Sequence, residues 1–236
     1  MLKKKLNYCQ AKYLRLMSYV LLILSTIAIL FIAELIRSYL IEYELGSMFI
    51  SFCVGFILLT PLVSLLLYPL LLSSGLKQVP SPFYMMLKNI GLVLLVQLLF
   101  FFIWMTDAIA VYSIYVDQDS FLAKALNINN FRADLSQEFY WGNLILACVF
   151  SLISLVIGVL PCLVAQLNNQ GVVRNFVISI TFANHNKVLF VVYACILAAI
   201  IVLPLLYTPF LFLLCFPIAF RYVCCDLFHR YQEVLK

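Results

Sequence analysis

The chain has 236 residues, of which 66% are hydrophobic and only 11% charged, whereas an ordinary soluble domain is roughly 25% charged. That composition excludes a water-soluble globular domain and calls for a bilayer, in which about 20 consecutive apolar residues span the hydrocarbon core as a helix. The net charge of +5 is spread in short basic groups between apolar runs, which reads as membrane orientation and not as a nucleic-acid surface.

At the start, Lys3, Lys4 and Lys5 precede an apolar stretch that begins near Met17 and runs on to Ile36. A signal-peptide core is roughly 7–15 residues long, and no small-x-small cleavage site follows this one. It is expected to be a retained first span. Five further segments with little or no charge follow, so the predicted spans are 17–36, 49–72, 91–112, 141–164, 188–206 and 208–225. The last two need an argument, because Val188 to Phe220 carries no charge. One helix of that length would be about 50 Å long, against a core of roughly 30 Å. The prolines of "LPLLYTP", Pro204 and Pro209, predict a break into two spans.

Charge placement tests this topology. With six spans and a cytoplasmic N-terminus, the inner side receives Lys3, Lys4, Lys5, Lys12, Arg15, Lys77, Lys88, Arg174, Lys187, Arg221, Arg230 and Lys236. The outer side receives only Arg37, Lys124 and Arg132, the bias that the positive-inside rule expects. Trp104, Trp141, Tyr112, Tyr115 and Tyr140 fall near the outer boundary, where an aromatic belt belongs.

Apolar residues recur at helical spacing just before spans one, three and five: Leu6, Cys9, Tyr13, Leu14 and Met17; Phe83, Met86, Leu87 and Ile90; Val173, Phe176, Val177 and Ile180. Basic residues accompany each set, as suits an amphipathic helix at the inner interface. The expected fold is therefore all-α: a single transmembrane domain over 1–236, with six spans in three hairpins, each led by a cytoplasmic interfacial helix. An outer loop over 116–139 is the one long polar segment, suited to a lid or contact surface.

"TPLVSLLLYP", Thr60 to Pro69, is echoed by "TPFLFLLCFP", Thr208 to Pro217, and Pro161 stands similarly in the fourth span. Pro61, Pro69, Pro161, Pro209 and Pro217 are the expected helix-bending positions. The echo reads either as a parallel threefold hairpin repeat or as chance similarity between leucine-rich segments.

Three stretches, "TPLVSLLLYPLLLSSGLKQ", "VISITFANHNKVLF" and "FPIAFRYVCCDLF", resemble a group of uncharacterised six-span inner-membrane proteins of bacteria. More loosely they are similar to the membrane domain attached to some glycerophosphodiester phosphodiesterases. In that group the closing tail is Tyr-Arg-Asp-Ile-Phe-like; here Asp226, Leu227 and Phe228 match it, Cys225 stands where arginine is usual, and Arg221 lies about one helical turn earlier. The resemblance covers about three-quarters of the chain. It implies a fold and a bacterial inner membrane, and no activity; the charge placement is what puts both termini on the cytoplasmic side.

Chemistry is sparse. The acids within spans are Glu34 and Asp107, both near outer ends. Asp107 lies roughly 7 Å below the boundary marked by Tyr112, and Arg37 follows Glu34 at a spacing that permits a local pair. These three residues form the candidate outer polar site. Asn143, Gln97 and Thr106 are intramembrane polar groups suited to interhelical hydrogen bonds or, alternatively, to a small pore. His185 and His229 have no acid at a metal or triad spacing, the cysteines form no C-x-x-C pair, and no P-loop, G-x-S-x-G or H-E-x-x-H occurs. No catalytic residue, metal or cofactor is therefore assigned.

On the inner rim, Lys77, Lys88, Arg174, Lys187, Arg221 and Arg230 read either as ordinary orientation bias or as contacts to anionic lipid head groups or another membrane protein. The expected function is a non-catalytic scaffold or accessory subunit. A small-solute or lipid permease is the alternative, and a membrane-embedded lipid-modifying enzyme the third reading.

Overall fold

The computed structural model describes residues 2–43, 45–66, 83–115, 136–167 and 171–234, and every one of these segments is essentially helical. The long first helix, α1, covers Leu2–Glu42. A tight turn at Leu45–Met48 leads into α2, Phe49–Ile57, and after Leu58 and Leu59 into α3, Thr60–Leu66. Then come α4, Phe83–Tyr115, and α5, Ser136–Ile153. A π-helical stretch, Ser154–Val159, joins α5 to α6, Leu160–Leu167. The chain closes with α7, Val172–His185, α8, Lys187–Tyr207, and α9, Pro209–Val234.

Five stretches are long and apolar enough to cross a membrane: Leu16–Glu42, Ile90–Ser113, Gln137–Ala165, Lys187–Tyr207 and Pro209–Val234. They suit a multi-pass membrane protein. Large apolar side chains such as Phe31, Leu99, Phe102, Ile145, Phe210 and Ile218 point outward around the bundle, which is costly in water and ordinary in lipid.

The split expected in the uncharged stretch from Val188 occurs where the prolines put it. Helix α8 ends at Tyr207, Thr208 leaves helical geometry, and Pro209 opens α9, a position where its missing N–H costs nothing. The two helices pack side by side, and Tyr193 of α8 meets Asp226 of α9, so they form an antiparallel hairpin. Phe212, Phe216 and Phe220 of α9 are buried and stack in sequence at 4.9 and 5.3 Å between centroids. Their spacing of four residues is one helical turn, which lines the rings up along one face.

Two expectations about the elements need amendment. The second predicted span, 49–72, is not one helix: α2 stops at Ile57 and α3 restarts at Thr60, while residues 67–72, including Pro69, lie outside the described residues. Pro61 is the cause, since it has no N–H to offer the carbonyl of Ile57 four residues back. That carbonyl instead accepts the hydroxyls of Thr60 at 2.8 Å and Ser154 at 3.1 Å.

The interfacial lead-in helices also differ among themselves. Those before spans one and three are continuous with α1 and α4; only α7 is a separate helix. It is separated because Asn186, at φ −117°, breaks from helical geometry, its side-chain amide bonding back to Phe182 and its carbonyl starting α8 through Phe190. Of the echoed Thr-Pro pairs, Thr60 is buried at the break between α2 and α3, whereas Thr208 is exposed at a turn between helices.

Candidate functional site

Charge gathers on the side of the bundle where α8 begins and α9 approaches its end. Asp226 is the centre: it accepts the hydroxyl of Tyr193 at 2.7 Å and Nε of Arg230 at 2.6 Å. The spacing of Asp226 and Arg230 is i,i+4, which puts both on one face of α9, while Tyr193 reaches across from α8. This locks the hairpin near its open end. The partner of Asp226 is thus Arg230, one turn after it, and not Arg221.

Arg221 does something else. Its guanidinium carbon sits 4.6 Å from the centroid of the Tyr19 ring of α1, a cation–π geometry. Its Nε is buried with no hydrogen-bond partner. Among the described residues no carboxylate pairs with it.

The remaining rim residues are not drawn into this cluster. Arg174 on α7 and Lys187 at the start of α8 are exposed, and among the described residues neither is in an ion pair. Lys77 lies outside the described residues, and Lys88 is on α4 with its side chain outside them. His185 turns back on its own helix, its Nδ1 2.9 Å from the Thr181 carbonyl. Thr106 likewise bonds its own helix at Ile103 and Phe102.

At mid-bundle the break between α2 and α3 faces the π-helical stretch. The hydroxyls of Thr60 and Ser154 lie 2.8 Å apart. Beside them Gln97 of α4 is 1% exposed, and neither its Oε1 nor its Nε2 has a partner. It borders a small cavity with Pro61, Leu58 and Cys162.

At the other end, the residues expected to form one outer polar site divide into two places. Glu34 and Arg37 approach to 3.9 Å on the exposed face of α1, with the Arg37 guanidinium also 5.8 Å from the Phe49 ring. Asp107 is elsewhere, on a groove between α4 and α5 that Glu138 and Asn143 also line. Ser51 ties that region together: its hydroxyl donates to Oδ1 of Asn143 at 2.9 Å, and its carbonyl accepts Nε1 of Trp104 at 3.2 Å.

Sequence reasoning did not single out Tyr193, Ser51 or Glu138. Each sits in a segment read only for its apolar character or as loop, and each acquires its role from a partner more than 30 positions away or from a groove wall. No family model matches this chain, and no curated protein or solved structure matches it.

Proposed function

We propose that this chain is a six-span protein of a bacterial inner membrane with both termini cytoplasmic, and that its role is non-catalytic: a scaffold or accessory subunit that holds anionic lipid. The observation that carries this reading is Arg221. It stands 13 residues after Thr208, about 20 Å along α9 at helical rise, so it lies inside a core of roughly 30 Å. A guanidinium at that depth demands a counter-charge or a path to the interface.

The carboxylates of the described residues do not supply the charge, and Tyr19 covers one face. A lipid phosphate reaching down beside α1 would satisfy the open edge, since arginine donates to phosphate in a fixed fork. Helix α1 continues from Tyr19 back through Arg15, Lys12 and the Lys3–Lys5 group, where each basic residue near an anionic surface contributes about 1 kcal/mol.

The test is a native mass spectrum of protein purified gently from its own membrane. Bound anionic lipid in the wild type that is lost in Arg221→Gln and kept in Arg174→Gln supports the reading. Equal lipid occupancy in wild type and Arg221→Gln removes it.

A second reading, a small-solute or lipid permease, draws on one observation: the break in α2–α3 and the π-helical stretch meet beside the unpartnered Gln97. Discontinuous helices at mid-depth form binding sites in many transporters. Liposome flux assays in which Gln97→Leu leaves every transported solute unchanged would dismiss it.

A further inference from the structure

The groove between α4 and α5 lies at the opposite end of the bundle from Arg221, and nothing argued so far uses it. Two edge-to-face ring pairs bridge the helices, Trp104 on Phe150 at 5.1 Å and Tyr112 on Phe139 at 5.6 Å. Between these two levels a space of ≈ 270 Å³ stays open. Gly142 helps to keep it so: no atom lies within 4 Å of where a Cβ would stand.

The walls are Ala108, Val111, Phe139 and Leu146. The polar groups at the base are already engaged, because Asn143 is 3% exposed, accepts from Ser51 and donates to the Phe139 carbonyl at 2.8 Å. The body of the groove thus suits an apolar guest.

The groove also carries charge that suits a cation. Asp107 and Glu138 both line the groove, and neither has an ion pair or hydrogen bond among the described residues. Arg37, the cation described at this end, is taken by Glu34 and Phe49. Asp107 lies five residues below Tyr112, about 7 Å deeper along α4, where the dielectric is falling and an uncompensated carboxylate attracts a positive charge more strongly than in water.

A bare divalent ion fits poorly, since calcium takes 6–8 oxygen ligands and these walls are carbon. The volume is slightly below the roughly 300–1,000 Å³ of small-molecule pockets, which suits one chain and not a two-chain lipid.

We propose that this groove binds a single-chain membrane amphiphile with a cationic ammonium head group, the head drawn by the carboxylates of Asp107 and Glu138 and the chain lying along the apolar walls. The chain contains only two tryptophans, Trp104 and Trp141. Trp104 lines the groove, whereas Trp141 is exposed. In the Trp141→Phe protein, Trp104 becomes the sole reporter.

The experiment titrates that protein, purified full length in an uncharged detergent, with 11-bromoundecyltrimethylammonium. Bromoundecanol serves as the neutral probe and bromoundecanoate as the anionic one, and contact quenching of Trp104 is read. Saturable quenching by the ammonium probe is expected at a half-saturation about tenfold below that of the alcohol, equivalent to about 1.4 kcal/mol, with the carboxylate probe weakest. Asp107→Asn combined with Glu138→Gln should bring the ammonium probe to the level of the alcohol. Gly142→Leu should abolish saturable quenching by every probe while helix content by circular dichroism is kept. The proposal is overturned if ammonium and alcohol quench alike, if quenching rises without saturating, or if the double variant retains the preference for the ammonium probe. The alcohol titration on the double variant doubles as its folding control, because the groove's apolar walls are unchanged there.

Discussion

Gly158 of the π-helical stretch lies flat against the ring of Pro61 of α3: a Cβ at position 158 would overlap Cγ of that ring and come within 3.2 Å of its Cβ. One proline breaks its own helix, and the glycine opposite lets the broken segment close against its neighbour. Gly158→Ala must therefore push two backbones apart. Overpacking of this kind costs about 1–3 kcal/mol, read as a drop in thermal stability in detergent. Gly142→Ala, where the space is open, should leave stability unchanged; equal effects at both positions would remove the close approach as the cause.

The carbonyl that Pro61 frees, at Ile57, accepts from both Thr60 and Ser154. Each hydroxyl covers for the other. Thr60→Val or Ser154→Ala alone should cost less than about 1 kcal/mol, and the pair together about 1–3 kcal/mol, because only then is a buried acceptor left bare. A double-mutant cycle that shows simple additivity would contradict the shared acceptor.

Tyr193 joins α8 to α9 through a hydrogen bond to a charged acceptor, Asp226. Such bonds are worth roughly 1.5–3 kcal/mol, so Tyr193→Phe should lower stability by up to that amount. Arg230, more exposed, should matter less when changed to Gln. If Arg230→Gln is the more damaging of the two, the ranking is wrong.

Gln97 has two polar atoms buried without partners, a burden of about 1–3 kcal/mol. Gln97→Leu removes both and keeps much of the volume. Greater thermal stability is expected for the variant. A loss of stability would mean that the amide has a partner, such as an ordered water in the small cavity beside it.

The Arg221–Tyr19 contact ties α9 to α1. Tyr19→Leu should cost about 0.5–1 kcal/mol, and Arg221→Lys should weaken lipid retention because a point charge replaces a planar fork. Native mass spectra of both variants beside wild type check this; full retention in Arg221→Lys would assign the site to charge alone.

Much was legible from the residues themselves. Composition alone required apolar helices, since a chain 66% hydrophobic has no other way to satisfy its backbone in lipid. Pro209 located the turn between α8 and α9, because its missing N–H costs nothing at the first position of a helix, whereas Pro204 stays inside α8. The i,i+3 spacing of Glu34 and Arg37 foretold their pair, since three residues return the chain to the same helix face.

Tertiary structure decided the rest. That Asp226 meets Tyr193 and Arg230 and leaves Arg221 to Tyr19 depends on which faces of α1, α8 and α9 turn together, and the rotation of one apolar helix against another is weakly encoded when nearly every position is apolar. The same holds for Ser51 with Asn143, Thr60 with Ser154, and the groove that Asp107 and Glu138 both line: each joins residues on different helices, and in lipid no polar stripe marks beforehand which face is inside. Local order was written in the prolines, charges and apolar runs, whereas the pairing of faces was set by packing, because close fit between side chains is a property of two helices at once.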